Sequence, residues 1–510
     1  MPPTPSRPIL RQDVAETPTL NHARPSHSVL AVLHVLGPVV MIFSGTMLIP
    51  LVTALIYRDA AMLAYDGAIA ITLVSGALLW LATRHARREL QVRDGFLLVT
   101  LVWAVMPAFA ALPLLFYLPD LSFTDAYFEC ISGLTTTGST VLSGLDTLPP
   151  SINMWRGLLQ WLGGMGIIVL AVAILPLLGV GGRQIYRAET PGPMKDAKLT
   201  PRITETAKGL WLVYGGITAV CILAHRLAGM DWLDAIVHSF ATMSLGGFST
   251  HDASYGYFDS PLIEAITIFF MLVAGLNFAT HFLAWRGLSL GPYRHDPEAR
   301  WFLIVTLASG AGLALFLWLN GVYPDYLTAL RFATFNTVSI ATTTGFANTD
   351  FNLWPVFAPL WMLFLCCFAS CAGSTGGGIK MIRARLLFLQ GLREMVKLIH
   401  PQAQVPVKLG GEVVPNQIVF AVLAFMSLYG ASITVATFLL LASGVDFVTA
   451  FSAVIACINN TGPGLNQVGP ATTYELRNDF QIWVLSFTML AGRLELFTVL
   501  ILFTPAFWRK

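Results

Sequence analysis

Apolar stretches of two lengths alternate along the chain, with polar turns between them. The long stretches reach the roughly 20 residues that a helix needs to cross about 30 Å of hydrocarbon, whereas the short ones are typical of re-entrant segments. The order long, short, long occurs four times, after two further long stretches. We therefore predict an all-α polytopic membrane protein with four parallel repeats of span, half-helix, loop and span. The repeats should stand in a pseudo-fourfold arrangement, preceded by a two-helix hairpin.

The predicted units follow one another along the chain. They are a disordered cytoplasmic tail at 1–28, a transmembrane hairpin at 29–94, and repeats at 95–208, 209–300, 301–413 and 414–510. The tail is rich in proline and lacks the apolar core of a signal peptide. The returning spans of the second and fourth repeats are predicted at 261–285 and 480–507.

Each short stretch runs into a motif of threonine and glycine. The clearest copies are 135–140 and 342–346, and degenerate copies lie at 243–248 and 459–464. The corresponding glycines, Gly138, Gly246, Gly345 and Gly462, are 108, 99 and 117 residues apart. This spacing fits one unit repeated four times, and matching positions make chance helix-crossing glycines a poor alternative.

The four motifs are candidates for a cation path. Non-helical backbone at membrane depth is tolerated only inside protein or beside a water-filled cavity, so the loops should converge on one axis. Rings of backbone carbonyls can replace the hydration shell of a cation, and glycine lets a loop turn its carbonyls inward. The candidate ion-binding residues are Thr136, Thr137, Gly138, Ser244, Leu245, Gly246, Thr343, Thr344, Gly345, Asn460, Thr461 and Gly462.

Charge placement predicts the orientation. Only 11% of the 510 residues are charged and 55% are hydrophobic, and the net charge of +2 gives no support to a nucleic-acid surface. The linkers between repeats carry the Lys and Arg residues, whereas the Thr/Gly side holds few. By the positive-inside rule, the linkers and both termini are cytoplasmic and the motifs open to the outside. Aspartates at the half-helix starts (Asp125, Asp231, Asp234, Asp325 and Asp446) suit either helix caps or attraction of cations.

Two further features are candidates for a gate. The returning span of the third repeat contains Gly373, Ser374, Thr375, Gly376, Gly377 and Gly378, followed by Lys380, a run that cannot form a good helix. It differs from a phosphate-binding loop, because Lys380 comes one place late and Met381 replaces the required Ser or Thr.

Arg493 lies near the middle of the last span, where an ionisable group is costly and by default functional. It either opposes cation flow or anchors the gate loop, or it forms a structural ion pair with another helix. Lys380 either acts similarly or extends to the cytoplasmic edge. No catalytic constellation occurs, which predicts that the chain is not an enzyme.

Together, the four repeats, the segments 132–138 and 246–252, the break 373–380 and the sequence 491–495 resemble the TrkH/TrkG-type bacterial potassium uptake subunits of the Trk/Ktr/HKT superfamily. The resemblance covers about 30–510. It implies potassium as the transported ion, no organic cofactor, a homodimer in the lipid of the bacterial inner membrane, and a cytoplasmic nucleotide-binding regulator of the TrkA type. It also implies that the four glycines line the ion path, that 373–378 is the gate, and that Arg493 lies under the filter.

Alternatives remain open at this stage. Sodium-preferring plant relatives carry Ser in place of the first filter glycine, which favours potassium here because all four positions keep Gly. A sodium-permeable or proton-coupled transporter of the same fold is one alternative, and a non-conducting membrane scaffold or sensor is another. No carboxylate lies mid-span in an obvious relay, which favours channel-like conduction over symport.

Overall fold

The computed structural model describes residues 25–86, 90–169, 203–475 and 478–509. Most of the predicted N-terminal tail, and most of the basic linker after the first repeat, lie outside the described residues. The described chain is almost entirely helical, as the hydrophobic pattern predicts. Its one sheet is a two-stranded hairpin of Lys408–Leu409 and Glu412–Val413.

Helices α1 to α3 form the predicted N-terminal hairpin. Their bounds are Pro25–Thr46, Leu48–Tyr57 and Met62–Ala82. Gly37 of α1 and Gly76 of α3 lie against each other's helices, and a Cβ on either would stand 2.8 to 2.9 Å from atoms of the other helix. Small residues at this crossing therefore permit close packing, as in other helix pairs in membranes.

Four units of similar build follow the hairpin. The first consists of α4 Val92–Ala110, α5 Leu112–Tyr117, the short helix α6 Phe123–Leu134 and α7 Pro150–Val169. The second consists of α8 Ile203–Leu227, the short helix α9 Trp232–Ser244, α10 Pro261–Ala274 and α11 Phe278–Gly287, with α12 Gly291–His295 leading on. The third consists of α13 Pro297–Leu319, the short helix α14 Tyr326–Ala341, α15 Phe357–Cys366 and α16 Met381–Ile399. The fourth consists of α17 Asn416–Ala442, the short helix α18 Phe447–Ile458, α19 Asp479–Arg493, α20 Phe497–Leu500 and α21 Pro505–Trp508.

Six helical segments of the described chain are long and apolar enough to cross a membrane, and two bent pairs bring the number to eight if each counts as one span. The chain is thus a polytopic membrane protein. Its apolar side chains are buried in several adjoining clusters that connect neighbouring units, such as that around Trp155 and Met106 between the hairpin and the first unit.

Within the described residues, the returning spans of the second, third and fourth units are broken. The predicted break in the third unit is present, because α15 ends at Cys366 and α16 starts at Met381. The returning segments predicted at 261–285 and 480–507 are also broken, because the chain bends there by 94° and 111°. In the second unit the Asn277 side chain caps a new helix after Gly275, and in the fourth Glu495 and Leu496 adopt positive φ, which ends α19.

Candidate functional site

The four short helices begin alike. Each is capped by a side-chain oxygen that accepts the backbone N–H three residues on, from Ser122 in α6, Asp231 in α9, Asp325 in α14 and Asp446 in α18. The aspartate caps, which sequence alone left open, are therefore present in three helices. Each helix directs the negative end of its dipole at the Thr/Gly loop that follows, which favours a cation there.

The four loops share one backbone conformation. In each, an N–H at the same position closes a turn on the helix: Thr137 bonds to the Ser132 carbonyl, Gly246 to Ala241, Thr344 to Ser339 and Thr461 to Ala456, over 2.7 to 2.8 Å. The preceding residue has positive φ in all four loops (Thr136, Leu245, Thr343 and Asn460), and so does the following glycine (Gly138, Gly247, Gly345 and Gly462). These conformations define three equivalent positions in each loop.

This register corrects the second copy by one residue. The sequence pattern equates Gly246 with the other three glycines, whereas Gly247, with φ of 81°, has their conformation. The equivalent triplet is therefore Leu245, Gly246 and Gly247, and Ser244 belongs to the last turn of α9. The phenylalanine that follows in both Gly247-Phe248 and Gly345-Phe346 is the sequence signal that could have indicated this alignment.

The loops form a closed ring in chain order. A Cβ on Gly138 would collide with the carbonyl oxygen of Gly246, one on Gly247 with that of Thr344, and one on Gly345 with that of Thr461. A Cβ on Gly462 would lie 2.8 Å from the carbonyl oxygen of Thr137, which closes the ring. Each glycine thus gives space to a carbonyl of the next loop.

A cavity of about 170 Å³ opens on this ring. All four positive-φ glycines line it, together with residues of the loops that follow them. Thus the sequence-predicted convergence of the motifs on one shared space is present in the structure. Among the described residues, no group of three or more His, Cys, Asp or Glu side chains could hold a metal ion. The cavity lining includes the backbone of the four loops and the hydroxyls of Ser139 and Thr140, and such oxygens suit a cation.

A buried ion pair supports the outer side of the ring. Arg156 and Glu129, each 1% exposed, are joined by a 2.8 Å contact, and Arg156 also donates to the carbonyl of Ser249 over 2.8 Å. Glu129 in turn accepts from the Thr140 hydroxyl and the Val141 N–H. The pair links the first and second loops, and its neutral sum keeps the Arg156 charge from repelling cations at the cavity.

His251 links the same two loops farther out. Its two ring nitrogens face the carboxylates of Asp146 and Asp234, and its ring stacks on Tyr257 with centroids 3.4 Å apart. Burial lowers the pKa of His251, but its hydrogen bonds to the two aspartate carboxylates and their charges outweigh burial and raise the pKa above the ordinary value of 6.5. The cluster therefore favours a protonated imidazole between two carboxylates.

The broken span of the third unit lies against the ends of the short helices. The Thr375 hydroxyl donates to the carbonyl of Met243 over 3.0 Å, and the Gly377 N–H donates to the Thr343 hydroxyl over 2.8 Å. A Cβ on Gly377 would collide with the carbonyl of Asn459. The loop therefore contacts the second, third and fourth units next to the ring.

Three polar contacts hold this loop in shape. Gly373 has φ of 72°, and its carbonyl accepts from the N–H of Phe278 over 3.0 Å. The Ser374 hydroxyl donates to the Cys371 carbonyl, and the Lys380 ammonium donates to the Gly376 carbonyl. Lys380 is buried, so the alternative in which it extends to the cytoplasmic edge is wrong. Gly378 has φ of 82°, which a residue with a side chain rarely adopts.

Arg493 anchors the same loop. It is 3% exposed, and its guanidinium donates to the carbonyl of Thr375 over 2.9 Å and to that of Gly163 over 3.1 Å. Among the described residues it has no carboxylate partner, since Glu495 pairs with Arg383 at 2.8 Å. The ion-pair alternative for Arg493 therefore finds no support, and its contacts join the first unit to the loop of the third.

Glu298 connects the two ends of the loop 373–380. This buried carboxylate accepts the N–H of Ala372 over 2.9 Å and that of Ile382 over 3.0 Å. One side chain thus holds the residues on both sides of 373–380. No sequence motif marks Glu298, because its partners are backbone groups about 80 residues away, as the separations of 74 and 84 show.

Comparison with known proteins shows which family the chain belongs to. The family model described as a cation transport protein, TrkH, matches residues 64–510. The Trk system potassium uptake protein TrkH of Escherichia coli K12 is 50% identical over 481 residues, which cover 94% of this chain and 99% of that protein. The chain belongs to the TrkH family.

Relatives and a solved structure agree on this placement. The TrkH of Halomonas elongata is 50% identical over 95% of this chain and its own full length, and the TrkG of Escherichia coli K12 is 38% identical over 94% of this chain and 99% of its own. The crystal structure of the potassium transporter TrkH from Vibrio parahaemolyticus matches with a TM-score of 0.87 and 46% identity, covering 94% of this chain and all of that one. TrkH-family members are transporters, and the prediction that the chain is not an enzyme is confirmed.

The TrkH-type site contains residues that sequence reasoning missed. Gln160, Glu129, Arg156 and Glu298 carry contacts of the ring and of the loop below it, yet they lie outside the Thr/Gly motifs. Glu129, Arg156 and Gln160 are polar residues within apolar stretches, which is a signal because a buried polar group requires a partner. Glu298 lies in a polar linker and carries no such signal. The sequence does not identify the partners of these polar residues, because the partners lie in other parts of the chain.

Proposed function

We propose that the chain carries potassium ions into a bacterial cell through the ring of its four Thr/Gly loops. The single observation that carries the proposal is the closed order of the ring, in which each loop's glycine makes room for a carbonyl of the next. Carbonyl oxygens in such a ring can replace the hydration shell of a cation, and four helix C-termini add to the negative potential. The relatives are named potassium uptake proteins.

The selectivity filter in this proposal consists of the four triplets in the corrected register. They are Thr136–Gly138, Leu245–Gly247, Thr343–Gly345 and Asn460–Gly462. The residues with positive φ turn successive carbonyls to one side, which an extended strand cannot do. The ion therefore meets backbone oxygens, and the side chains face the surrounding protein.

The loop 373–380 is the gate in this proposal. It lies against the ends of three short helices, and Arg493 and Glu298 hold it. A glycine-rich segment fixed by a few polar contacts can move when those contacts break, because it buries little side-chain surface. The buried positive charges of Arg493 and Lys380 oppose a cation until the loop moves.

Control comes from a cytoplasmic regulatory subunit in this proposal, and the chain forms a homodimer with both termini inside. The relatives are named as potassium uptake proteins of a Trk system, which suggests further components. Helix α16 supports a partner at this end, because Phe388, Met395 and Leu398 are 67%, 55% and 83% exposed. Apolar groups on a helix outside the predicted spans favour a protein contact.

Uptake into liposomes tests the proposed function. Purified chain is reconstituted with and without a TrkA-type subunit, and rubidium uptake is driven by an outward potassium gradient. Uptake above protein-free liposomes, increased by the subunit and its nucleotide, supports the proposal. Absence of uptake under both conditions, with protein that is folded and inserted, would favour the scaffold alternative.

A further inference from the structure

One ring position differs chemically among the four loops. The residue before the positive-φ glycine is threonine in three loops, Thr137, Thr344 and Thr461, and glycine in the second, Gly246. Gly246 is not among the residues with positive φ, so its backbone would accept a side chain. Its lack of a side chain requires another explanation.

Two of the threonines are braced from within their own loops. The Thr137 and Thr135 hydroxyls lie 2.7 Å apart, and so do those of Thr344 and Thr342. In the second loop the residue equivalent to Thr135 is Ser244, and its hydroxyl donates over 2.8 Å to the Phe240 carbonyl of its own helix. The second loop therefore lacks this internal brace.

Gln160 occupies the place of the missing side chain. It is fully buried in α7, and its Nε2 donates to the carbonyl of Gly246 over 2.5 Å while its Oε1 accepts the N–H of Phe248 over 3.1 Å. These partners fix the amide orientation, because one is an acceptor and the other a donor. A Cβ on Gly246 would stand 2.5 to 2.8 Å from three atoms of the Gln160 amide.

We propose that Gln160 is a positioning residue that sets ion selectivity through the second loop, an inference that rests on the proposed function. Its amide holds Gly246 and Phe248 at a fixed separation and donates a hydrogen bond to the Gly246 carbonyl. That carbonyl is thereby fixed in direction, and its field at the ion is weakened relative to those of the other loops. Discrimination among cations depends on the geometry and field strength of the coordinating carbonyls, so the loop braced from outside should contribute to it.

The first test is the potassium-to-sodium flux ratio in liposomes. Gln160→Leu removes both hydrogen bonds at similar volume, and Gln160→Glu keeps an acceptor for Phe248 but removes the donor to Gly246. We expect the ratio to fall about fivefold in both variants, as the loss of a hydrogen bond of ordinary strength at the ring predicts. Potassium flux itself should persist, because the other three loops are unchanged. A wild-type ratio in both variants would overturn the inference and leave the proposed function standing.

The second test needs no transport. Gly246→Ala should lower the thermal unfolding temperature of the full chain, and adding Gln160→Ala should recover part of the loss, because the amide is what the new methyl meets. Gly247→Ala is the matched control. Its methyl would meet the Thr344 carbonyl at positive φ, so Gln160→Ala should recover nothing there. If Gln160→Ala changes the unfolding temperature of the two glycine variants equally, the role assigned to Gln160 is overturned, whatever the ion flux of the wild type.

Discussion

Four residues with side chains hold a left-handed backbone beside the ring: Thr136, Leu245, Thr343 and Asn460. Such a conformation costs about 1 kcal/mol or more for a non-glycine residue, so the surroundings must enforce it. In all four loops the N–H of the next residue donates a hydrogen bond to a carbonyl of the preceding short helix, and this bond holds the conformation. The strain is accordingly a shared part of how successive carbonyls are turned to one side.

Individual residues of this site differ in how far sequence can predict them. The first, third and fourth glycines follow from their motifs, but the pair Gly246-Gly247 offers two registers that differ by one residue. Composition does not distinguish them, because either glycine can take positive φ. The choice depends on Gln160, which leaves no room for a side chain at 246 and lies 86 residues away.

Arg493→Gln should raise ion flux in the absence of the regulator. The substitution removes the buried positive charge and at least one of two hydrogen bonds to carbonyls of Thr375 and Gly163. Hydrogen bonds to charged groups contribute about 1.5 to 3 kcal/mol, so the closed state should lose roughly tenfold or more in relative population. Basal rubidium uptake into liposomes measures this. Uptake equal to wild type would contradict the role of Arg493 in the gate.

His251 should make the stability of the folded chain depend on pH. Its pKa is raised above 6.5 in the folded chain, so its contribution is present in full below pH 6.5 and is lost as pH rises through the raised value. Thermal unfolding in detergent between pH 6 and 9 should therefore show a fall that is absent in His251→Gln. An identical pH profile in the two proteins would contradict the proposed charge of this imidazole.

At the scale of elements, hydrophobic length predicts where the helices are but not where they bend. The short helices Phe123–Leu134 and Tyr326–Ala341 lie in the short apolar stretches that precede the Thr/Gly motifs, and a capping side chain marks the start of each. The glycine-rich break at 373–378 is also readable, since its composition disfavours a helix. The 94° and 111° bends are harder to predict. Leu494, Glu495 and Leu496 are good helix formers by composition, and the backbone at Gly275 and Phe278 bonds to Cys371 and Gly373, about 95 residues away.

The fit of the loop 373–380, the proposed gate, should depend on Gly377. Gly377→Ala places a methyl where the Asn459 carbonyl lies and displaces the N–H that donates to Thr343. Basal flux should rise severalfold, because overpacking at a buried contact costs about 1 to 3 kcal/mol in the closed arrangement. Gly391→Ala in α16 is the matched control, since a Cβ there meets nothing within 4 Å. A rise in basal flux in both variants, or in neither, would contradict the proposed gate and indicate that the loop only packs against its neighbours.

At the scale of the whole molecule, four units that differ in sequence meet around one cavity. Each pair of neighbours contacts through a glycine of one loop and a carbonyl of the next, and the fourth unit meets the first. The ring is therefore one structural object made by parts of the chain more than 300 residues apart, as the separation of 323 between Ser139 and Gly462 shows. A change at one glycine should disturb the path as a whole.

The most direct test of the account is the potassium-to-sodium uptake ratio of wild type, Gly138→Ser and Gly321→Ser in liposomes. Both glycines have positive φ, 86° and 71°, but Gly138 faces the Gly246 carbonyl and Gly321 meets nothing within 4 Å. We expect wild type and Gly321→Ser to favour potassium alike, and Gly138→Ser to lose about tenfold in the ratio, as a shift of roughly 1.4 kcal/mol at the ring would give. The same ratio in all three proteins would contradict the claim that the four loops form the selective path.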